Sequence, residues 1–454
     1  MLKKLKYFLF ESYHRPSAKI HHIFILLKSL FLTQKTNLIS EKIFLLKGPP
    51  QTIIYYNFLG RITYMIKNFV YILLFKKFLD KSLLFEKNNE NESDLHGQSG
   101  SDYAPWPKQA MHVFENKNED ISLGFIDKID SDYSKSLDII KKDPLFKETD
   151  WWLECRNEFK KIFLNNENKI NLKALNNFRN NSETKAEILE YHNYISRENS
   201  KFINMIKSLG LVNLYHKLSD YIDLDILRMS SESEIGNDLC PLYRGQRLSV
   251  RVLRYAYYAS QIRKNTTLKT KNDNTFIDIG GGYGGLSRVL KNIYSNSTFV
   301  IIELPELCFL ATFFLKKCFP KEKIGTLSDF SHLQVITRKD ITGYDFIVLP
   351  QPIVEKFADE TFDLCINTTS LGEMTNEMQN YYINHIERLS KDYFYSVNRA
   401  KERKEKYNTK GFYDFQFKKK WHMLIYGFTH TYHLEFLGKK IHNSNKESSI
   451  IPIK

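Results

Sequence analysis

The period of hydrophobic positions changes along this chain, and the changes mark its elements. In Thr275–Leu290 (TFIDIGGGYGGLSRVL) an apolar run from Phe276 to Ile279 meets four glycines in five residues, Gly280, Gly281, Gly282 and Gly284, with Gly285 next. Leu286, Val289, Leu290 and Ile293 then recur at helical spacing. The pattern predicts strand, tight turn, helix. The alternation continues with a strand at Phe299–Ile302 and a helix that Pro305 opens and Leu307, Leu310, Ala311, Phe314 and Leu315 carry on. Phe346–Gln351 and Phe362–Asn367 are strands, Met378, Tyr382, Ile386 and Leu389 mark a helix, and Tyr393–Val397 is a fifth strand. Gly325–Gly343 is polar and ambiguous, with a short hairpin as its expected form. Strands alternating with helices imply a parallel sheet with right-handed crossovers, and Trp421–Leu437 is placed to add the last, antiparallel strands.

Upstream, residues 102–240 read as mainly helical, with Trp151, Trp152, Phe159 and Phe163 in one stripe and a second stripe over Ala186–Leu211. Such stripes belong to a core rather than to a ligand platform. Leu242–Ile262 reads as a helix, with Leu248, Val252, Leu253 and Tyr257 on one face and Arg244, Arg247, Arg251 and Arg254 on the other. It is placed to cap a pocket, where an arginine such as Arg247 could hold a substrate carboxylate in two-pronged fashion. For any single arginine a solvated face is the plainer reading. Residues 87–101 (KNNENESDLHGQSGS) are polar and poor in apolar residues, as a linker is. The expected order is a basic apolar helical region (1–86), a linker (87–101), a mainly helical domain (102–240), a Rossmann-like α/β domain of seven strands (241–440) and a tail (441–454).

Composition changes this picture little. The 454 residues give room for two or three domains, and 42% hydrophobic with 26% charged residues is globular. The net charge of +14 suggests nucleic acid or an anionic membrane, but Lys, Asn, Ile and Phe are all abundant, as a coding bias would make them. Five scattered cysteines, with no C-x-x-C and no zinc spacing, imply neither a disulfide frame nor a metal site, and fit a cytoplasmic setting. Residues 1–86 hold 14 Lys/Arg against 4 Asp/Glu. Lys28 breaks the run Ile20–Leu32, and Lys67, Lys76 and Lys77 break Ile62–Leu79, so neither reaches the roughly 20 apolar residues of a spanning helix. No small-residue cleavage site follows the first run, which argues against a secretory signal. This region can lie peripherally on the inner membrane face, or form core helices whose lysines reach outward.

The chemistry concentrates around the glycines. They allow positive φ and close approach of a ligand to the main chain, and the helix start behind them attracts an anionic group. Gly280-x-Gly282-x-x-Gly285 alone would also suit a dinucleotide. Asp278 in the strand end and Glu303, nineteen residues past Gly284 at the tip of the next strand, narrow the choice. Glu303 is placed for ribose hydroxyls, and the acid-x-Gly-x-Gly-x-Gly form Asp278-Ile-Gly280-Gly-Gly282-Tyr-Gly284 resembles the first motif of class I methyltransferases, which favours S-adenosylmethionine over NAD. Gln351 stands where an adenine would lie, and Asn367, Ser370 and Glu373 border the reacting methyl. Asn367 is assigned to the cofactor and Ser370 to the substrate. Glu373 is a candidate base, sugar ligand or metal ligand, or a glutamate satisfying a helix start. His430 is a second base candidate; three residues separate it from His433, which on one strand would put the two on opposite faces. His385, inside a helix, is expected to be structural.

From Gly245 to Gly438 the chain resembles the sugar O-methyltransferases, a bacterial class I S-adenosylmethionine-dependent family associated with surface-polysaccharide gene clusters. The pieces that match are GQRLSVRVLRY (245–255), FIDIGGGYGGLSRVL (276–290), IIELPE (301–306), FDLCINTTSLGEM (362–374) and YFYSVNR (393–399), with a faint echo at Trp151–Glu154. The resemblance implies a class I methyltransferase domain, cofactor contacts at Asp278, Gly280, Gly282 and Glu303, a pocket role for Glu373, and a sugar or glycan acceptor. Residues 1–100 have no counterpart in it. A nucleic-acid methyltransferase is a weaker alternative, because Ile366-Asn367-Thr368-Thr369 is not the Asp/Asn-Pro-Pro-aromatic run that serves a flipped base, and no nucleic-acid partner is expected. A nucleotide-sugar oxidoreductase lacks its Tyr-x-x-x-Lys after the fourth strand. A non-catalytic reading is a cofactor-fold scaffold docking to a membrane or a glycosyltransferase.

Overall fold

A computed structural model describes residues 121–146, 150–165, 169–179, 201–236, 239–401, 409–430 and 433–442. Nearly all of them lie in one of two compact units, Leu79–Tyr426 with Tyr432–Lys454, and the architecture below is that unit's. The apolar region 1–86, the linker 87–101, the stretch 186–200, the side chains of Trp151 and Trp152, and the tail from 443 lie outside the described residues.

The leading helices are α1 (Leu123–Lys141), α2 (Asp150–Phe163), α3 (Leu172–Asn176), α4 (Lys201–Leu218) and α5 (Leu224–Met229). The next segment departs from the single helix that its sequence suggests. Leu242–Tyr243 (β1) and Gln246–Arg247 (β2) pair as a hairpin around Arg244 and Gly245, both with positive φ (51° and 74°), the backbone a two-residue hairpin turn needs. Helix α6 (Val250–Asn265) starts only after Ser249, whose hydroxyl accepts the Val252 N–H at 2.9 Å. Arg247 therefore sits on a strand, and Arg247 and Arg251 are buried rather than solvated.

The sheet follows. Its elements are β3 (Thr275–Ile279), α7 (Gly285–Ile293), β4 (Thr298–Glu303), α8 (Pro305–Cys318), β5 (Ile324–Gly325), α9 (Leu327–Phe330), α10 (Arg338–Ile341), β6 (Phe346–Pro350), β7 (Phe362–Thr368), α11 (Asn376–Leu389), β8 (Ser390–Arg399), β9 (Trp421–His430) and β10 (His433–Lys440). The strand order is β5-β6-β4-β3-β7-β8-β10-β9. Strands β3 to β8 run parallel, and β10 is antiparallel to β8. Seven of these are the expected strands, and the two-residue β5 is an eighth at the edge. The hairpin expected over Gly325–Gly343 is absent. Thr326-x-x-Asp329 and Thr337-x-x-Asp340 form capping boxes that start α9 and α10, a short-helix signal that the polar composition hid.

Strands β3, β4 and β6 are buried along their whole length, as in a sheet covered on both faces. Alternate residues feed two cores. Phe276, Phe299, Ile301 and Phe346 join one with α6, α7 and α8, while Ile277, Val300, Ile302 and Ile347 join the other with α11. Phe276 and Phe299 stack at 4.7 Å. Helix α1 lies across the carboxyl ends of β4, β5 and β6. Tyr133 donates to Glu306 (3.2 Å), Lys128 pairs with Asp329 (2.7 Å), and Ser328 donates to Asp132. Beyond α1, Phe146 meets Tyr381 of α11 edge-on at 5.4 Å. The helical region thus roofs the sheet edge where β4 and β6 end. The chain winds outward from β3 through β4 to β6, then returns to β7 on the other side, so a topological switch falls between β3 and β7. In open α/β sheets, ligands bind at such a switch.

Candidate functional site

Asp278, the fourth residue of β3, is 2% exposed and shares the face of Phe276 and α6–α8. The chain then turns through Gly280, Gly282 and Gly284, with φ of 72°, 59° and 85°, a region that side chains rarely occupy. Gly280 is the tightest position: a Cβ there would stand 2.1 Å from the Ser370 hydroxyl oxygen. Gly282 faces open space, with nothing within 4 Å of its Cβ position. The loop is held to β4 by Gly280 N–H donating to the Ile302 carbonyl (2.8 Å) and Gly282 N–H donating to Glu303 Oε1 (2.7 Å). Glu303 Oε2 accepts the Leu304 N–H at 2.7 Å. The sequence placed Asp278, these glycines and Glu303 together, and the structure gathers them at one carboxyl edge.

Gln351 opens the turn after β6. Near it the buried Tyr382 hydroxyl has its acidity suppressed first by burial and then by the charge of Glu303, with Gln351 acting the other way. Tyr382 thus joins Gln351 and Glu303 at the ends of β4 and β6. It registered in the sequence only as an apolar helix position.

After β7 a polar network closes the other side. Asn367 Nδ2 donates to the Ile279 carbonyl (2.7 Å) and to Ser370 Oγ (2.6 Å), and Ser370 Oγ donates to the Ile279 carbonyl (3.2 Å). Asn367 Oδ1 accepts from Asn398 Nδ2 at 2.7 Å. Both asparagines are fully buried. Asn367 and Ser370 therefore clasp the end of β3 with their polar groups. Thr369 between them has φ 63°, and its N–H donates to the Val397 carbonyl at 2.7 Å. A β-branched residue there stores strain that the surrounding bonds must hold. Glu373 lies half-buried in the one-turn helix Leu371–Glu373, its N–H donating to the Ser370 carbonyl at 3.0 Å.

A charged cluster stands behind the glycine loop. Glu232, buried, pairs with Arg179 (2.8 Å) and Ser249, with Arg288 at 4.0 Å. Burial pushes its carboxyl up, but Arg179, Arg288 and Arg251 outweigh this and hold it down at about 2. Arg251 donates to the Tyr283 hydroxyl of the loop at 2.8 Å. Arg247 pairs with Glu234 (3.4 Å), and its N–H donates to Ser231 Oγ (3.0 Å), so it belongs to the hairpin side of this cluster. Glu232 lay in a stretch with no motif, so nothing in the sequence pointed to it.

His430 ends β9 and His433 begins β10, so the two sit on different strands and the alternation argument for them does not hold. The His430 side chain lies outside the described residues. His385 contacts Arg388 at 3.0 Å and the Tyr381 ring at 4.4 Å. Burial and then Arg388 lower its pKa to about 4, so it is neutral at pH 7. Glu435 of β10 accepts from Tyr395 (2.7 Å) and Tyr257 (2.9 Å), and burial raises it to about 7. Among the described residues no group of three His, Cys, Asp or Glu is placed to hold a metal, and no helix is long and apolar enough to cross a membrane.

The sheet, its switch point and the reversed strand next to its last edge define the Rossmann-like fold of class I methyltransferases. No protein-family model and no curated protein matches the chain. Among solved structures it is similar to a SAM-dependent methyltransferase from Aquifex aeolicus (12% identity over 40% of this chain and 89% of that one, TM-score 0.28). It is also similar to a protein from Pyrococcus horikoshii (14% identity, 41% and 92%, TM-score 0.29). A third is magnesium protoporphyrin IX methyltransferase from Synechocystis with bound SAH (11% identity, 41% and 82%, TM-score 0.29).

Proposed function

We propose that this chain is an S-adenosylmethionine-dependent O-methyltransferase whose acceptor is a hydroxyl of a sugar or glycan precursor, in surface-polysaccharide synthesis. The observation that carries the reading is the loop of Gly280, Gly282 and Gly284, all at positive φ, with buried Asp278 beneath it and Glu303 bonded to it. Such a bend lets a ligand approach the main chain without side chains in the way. Bound there, S-adenosylmethionine supplies a methyl group on a positively charged sulfur. Asp278 and the glycine bend would hold its polar end, Glu303 would take the ribose hydroxyls on giving up the Gly282 N–H, and Gln351 would line the base. The methyl would pass to the acceptor oxygen, and Glu373 would take the hydroxyl proton. Asn367 and Ser370 enter this reading as holders of the loop. The sugar assignment is supported by the run Asn367–Met374 (NTTSLGEM) and its family resemblance.

The test has two stages. Calorimetry with S-adenosylmethionine should show one site per chain, and no binding would end the reading. A screen of radiolabelled methyl incorporation across nucleotide sugars and lipid-linked glycans should find the acceptor; labelling of nucleic acid instead would replace the sugar assignment. With the acceptor in hand, Glu373→Gln should lower turnover at least tenfold and leave cofactor affinity within about twofold. Unchanged turnover removes Glu373 as base. Deletion of residues 1–86 should release the protein from membranes on fractionation, and an unchanged distribution ends the peripheral-membrane reading.

A further inference from the structure

Asn398 lies near the end of β8, in no candidate role, yet it occupies the centre of the network described above. Its Nδ2 donates to Asn367 Oδ1 (2.7 Å) and Ser396 Oγ (2.8 Å), and its Oδ1 accepts the Gly372 N–H (3.3 Å). One side chain therefore grips two structures. Through Asn367 it fixes the grip on Ile279 and Ser370 directly beside Gly280. Through Gly372 it fixes the turn that carries Glu373.

Asn398 is fully buried, as are Asn367 and Ser396. A buried polar network that is fully satisfied specifies one arrangement, and a partly satisfied one is costly. Thr369, at φ 63° between the two gripped parts, shows what the network withstands: a strained backbone persists only where its surroundings fix it.

We infer that Asn398 is a positioning residue that couples the glycine loop to the Leu371–Glu373 turn, so that the two move as one body. This deepens the methyltransferase reading and rests on it for its functional meaning: cofactor bound at the loop sets the position of Glu373 toward the acceptor. Asn398 touches neither ligand in this account. It acts through Asn367 and Gly372.

The experiment compares the full chain with Asn398→Asp, Asn398→Ala and Ser370→Ala. Amide hydrogen exchange is followed with and without S-adenosylhomocysteine, and affinity is measured by calorimetry. Asn398→Asp keeps the size but points a carboxylate oxygen at Asn367 Oδ1. In the wild type the ligand should slow exchange at Gly372, the amide Asn398 holds. In both Asn398 variants exchange at Gly280–Gly282 and Leu371–Glu373 should rise together while β4 and β6 stay protected, the ligand should no longer protect Gly372, and affinity should fall about tenfold or more. A folded variant with wild-type exchange at both places, or with loosening only at the turn, overturns the coupling. Should the Asn398 variants fail to fold, Ser370→Ala decides, since it removes one link: exchange must rise on both sides of it. Absence of S-adenosylhomocysteine binding in the wild type would sink the methyltransferase reading and leave the ligand-free exchange to judge the coupling.

Discussion

The two edges of the central sheet each bury an aspartate, and they use it in opposite ways. At the amino edge Asp363 receives Arg338 through two bonds (2.8 and 2.7 Å) and the Thr275 N–H (2.9 Å). Burial pushes its carboxyl up, and these donors outweigh that and hold it below the usual range. At the carboxyl edge Asp278 lies under a loop with three glycines at positive φ, next to a threonine that is strained. One edge answers its acid with side-chain charges; the other bends a glycine-rich backbone around it. A polar cleft of about 590 Å³, lined by Lys269, Lys271, Asp273, Arg338, Lys391 and Asp392, opens at the amino edge. The glycine bend and the switch point single out the carboxyl edge, which the helical region covers.

The contrast can be broken most sharply at Gly280. Gly280→Val combines an unfavourable φ with a Cβ 2.1 Å from Ser370 Oγ. It should weaken S-adenosylhomocysteine binding at least a hundredfold by calorimetry and lower the unfolding free energy by about 2–4 kcal/mol in urea. Asp278→Ala should give the same loss of binding while the chain stays folded by circular dichroism; retained affinity in either variant would place the cofactor elsewhere.

Glu435, set between α6, β8 and β10, gives a pH-dependent effect. Its folded pKa of about 7 lies above the ordinary 4.5, so the folded chain keeps a proton that the unfolded chain loses. Its contribution is fully present below pH 4.5 and is lost as pH rises toward 7, by roughly 3 kcal/mol in all. Glu435→Gln should remove that slope from urea titrations run between pH 5 and 8, and an unchanged slope would locate it elsewhere.

Asp363→Asn sharpens the comparison from the amino side. It weakens the Arg338 pair and should cost about 2 kcal/mol at pH 7. The contribution of Asp363 is present above the ordinary carboxylate pKa of 3.8 and lost as pH falls through the depressed folded value. Cofactor affinity should stay within about twofold; a tenfold change would mean that the amino edge serves the site as well. The smallest effect is expected at the half-exposed pair of Lys128 and Asp329, where Lys128→Ala should cost below about 1 kcal/mol.

Much of the sheet could be read directly. Phe299–Ile302 and Phe346–Leu349 are unbroken apolar runs, and Phe276–Ile279 is broken only by Asp278, because both faces of each strand are covered. The glycine loop was legible because its backbone tolerates few residue types. What escaped was set by long-range pairing. Asn367 was legible in its own motif, but Asn398 stands 31 residues away and meets it only when β8 lies beside β7, so nothing local tied the two together. The hairpin at Arg244–Gly245 was hidden by the apolar residues around it, which fit a helical period equally well. The two histidines were taken for one strand because nothing in their spacing marks the break between β9 and β10.

The most direct test is a crystal structure of the full chain grown with S-adenosylhomocysteine. The nucleoside should lie on Gly280–Gly284 between β3 and β7, with its ribose on Glu303 in place of the Gly282 amide. A nucleoside seated in the amino-edge cleft, or a glycine loop that stays closed by Glu303 with no ligand at saturating concentration, would contradict the account.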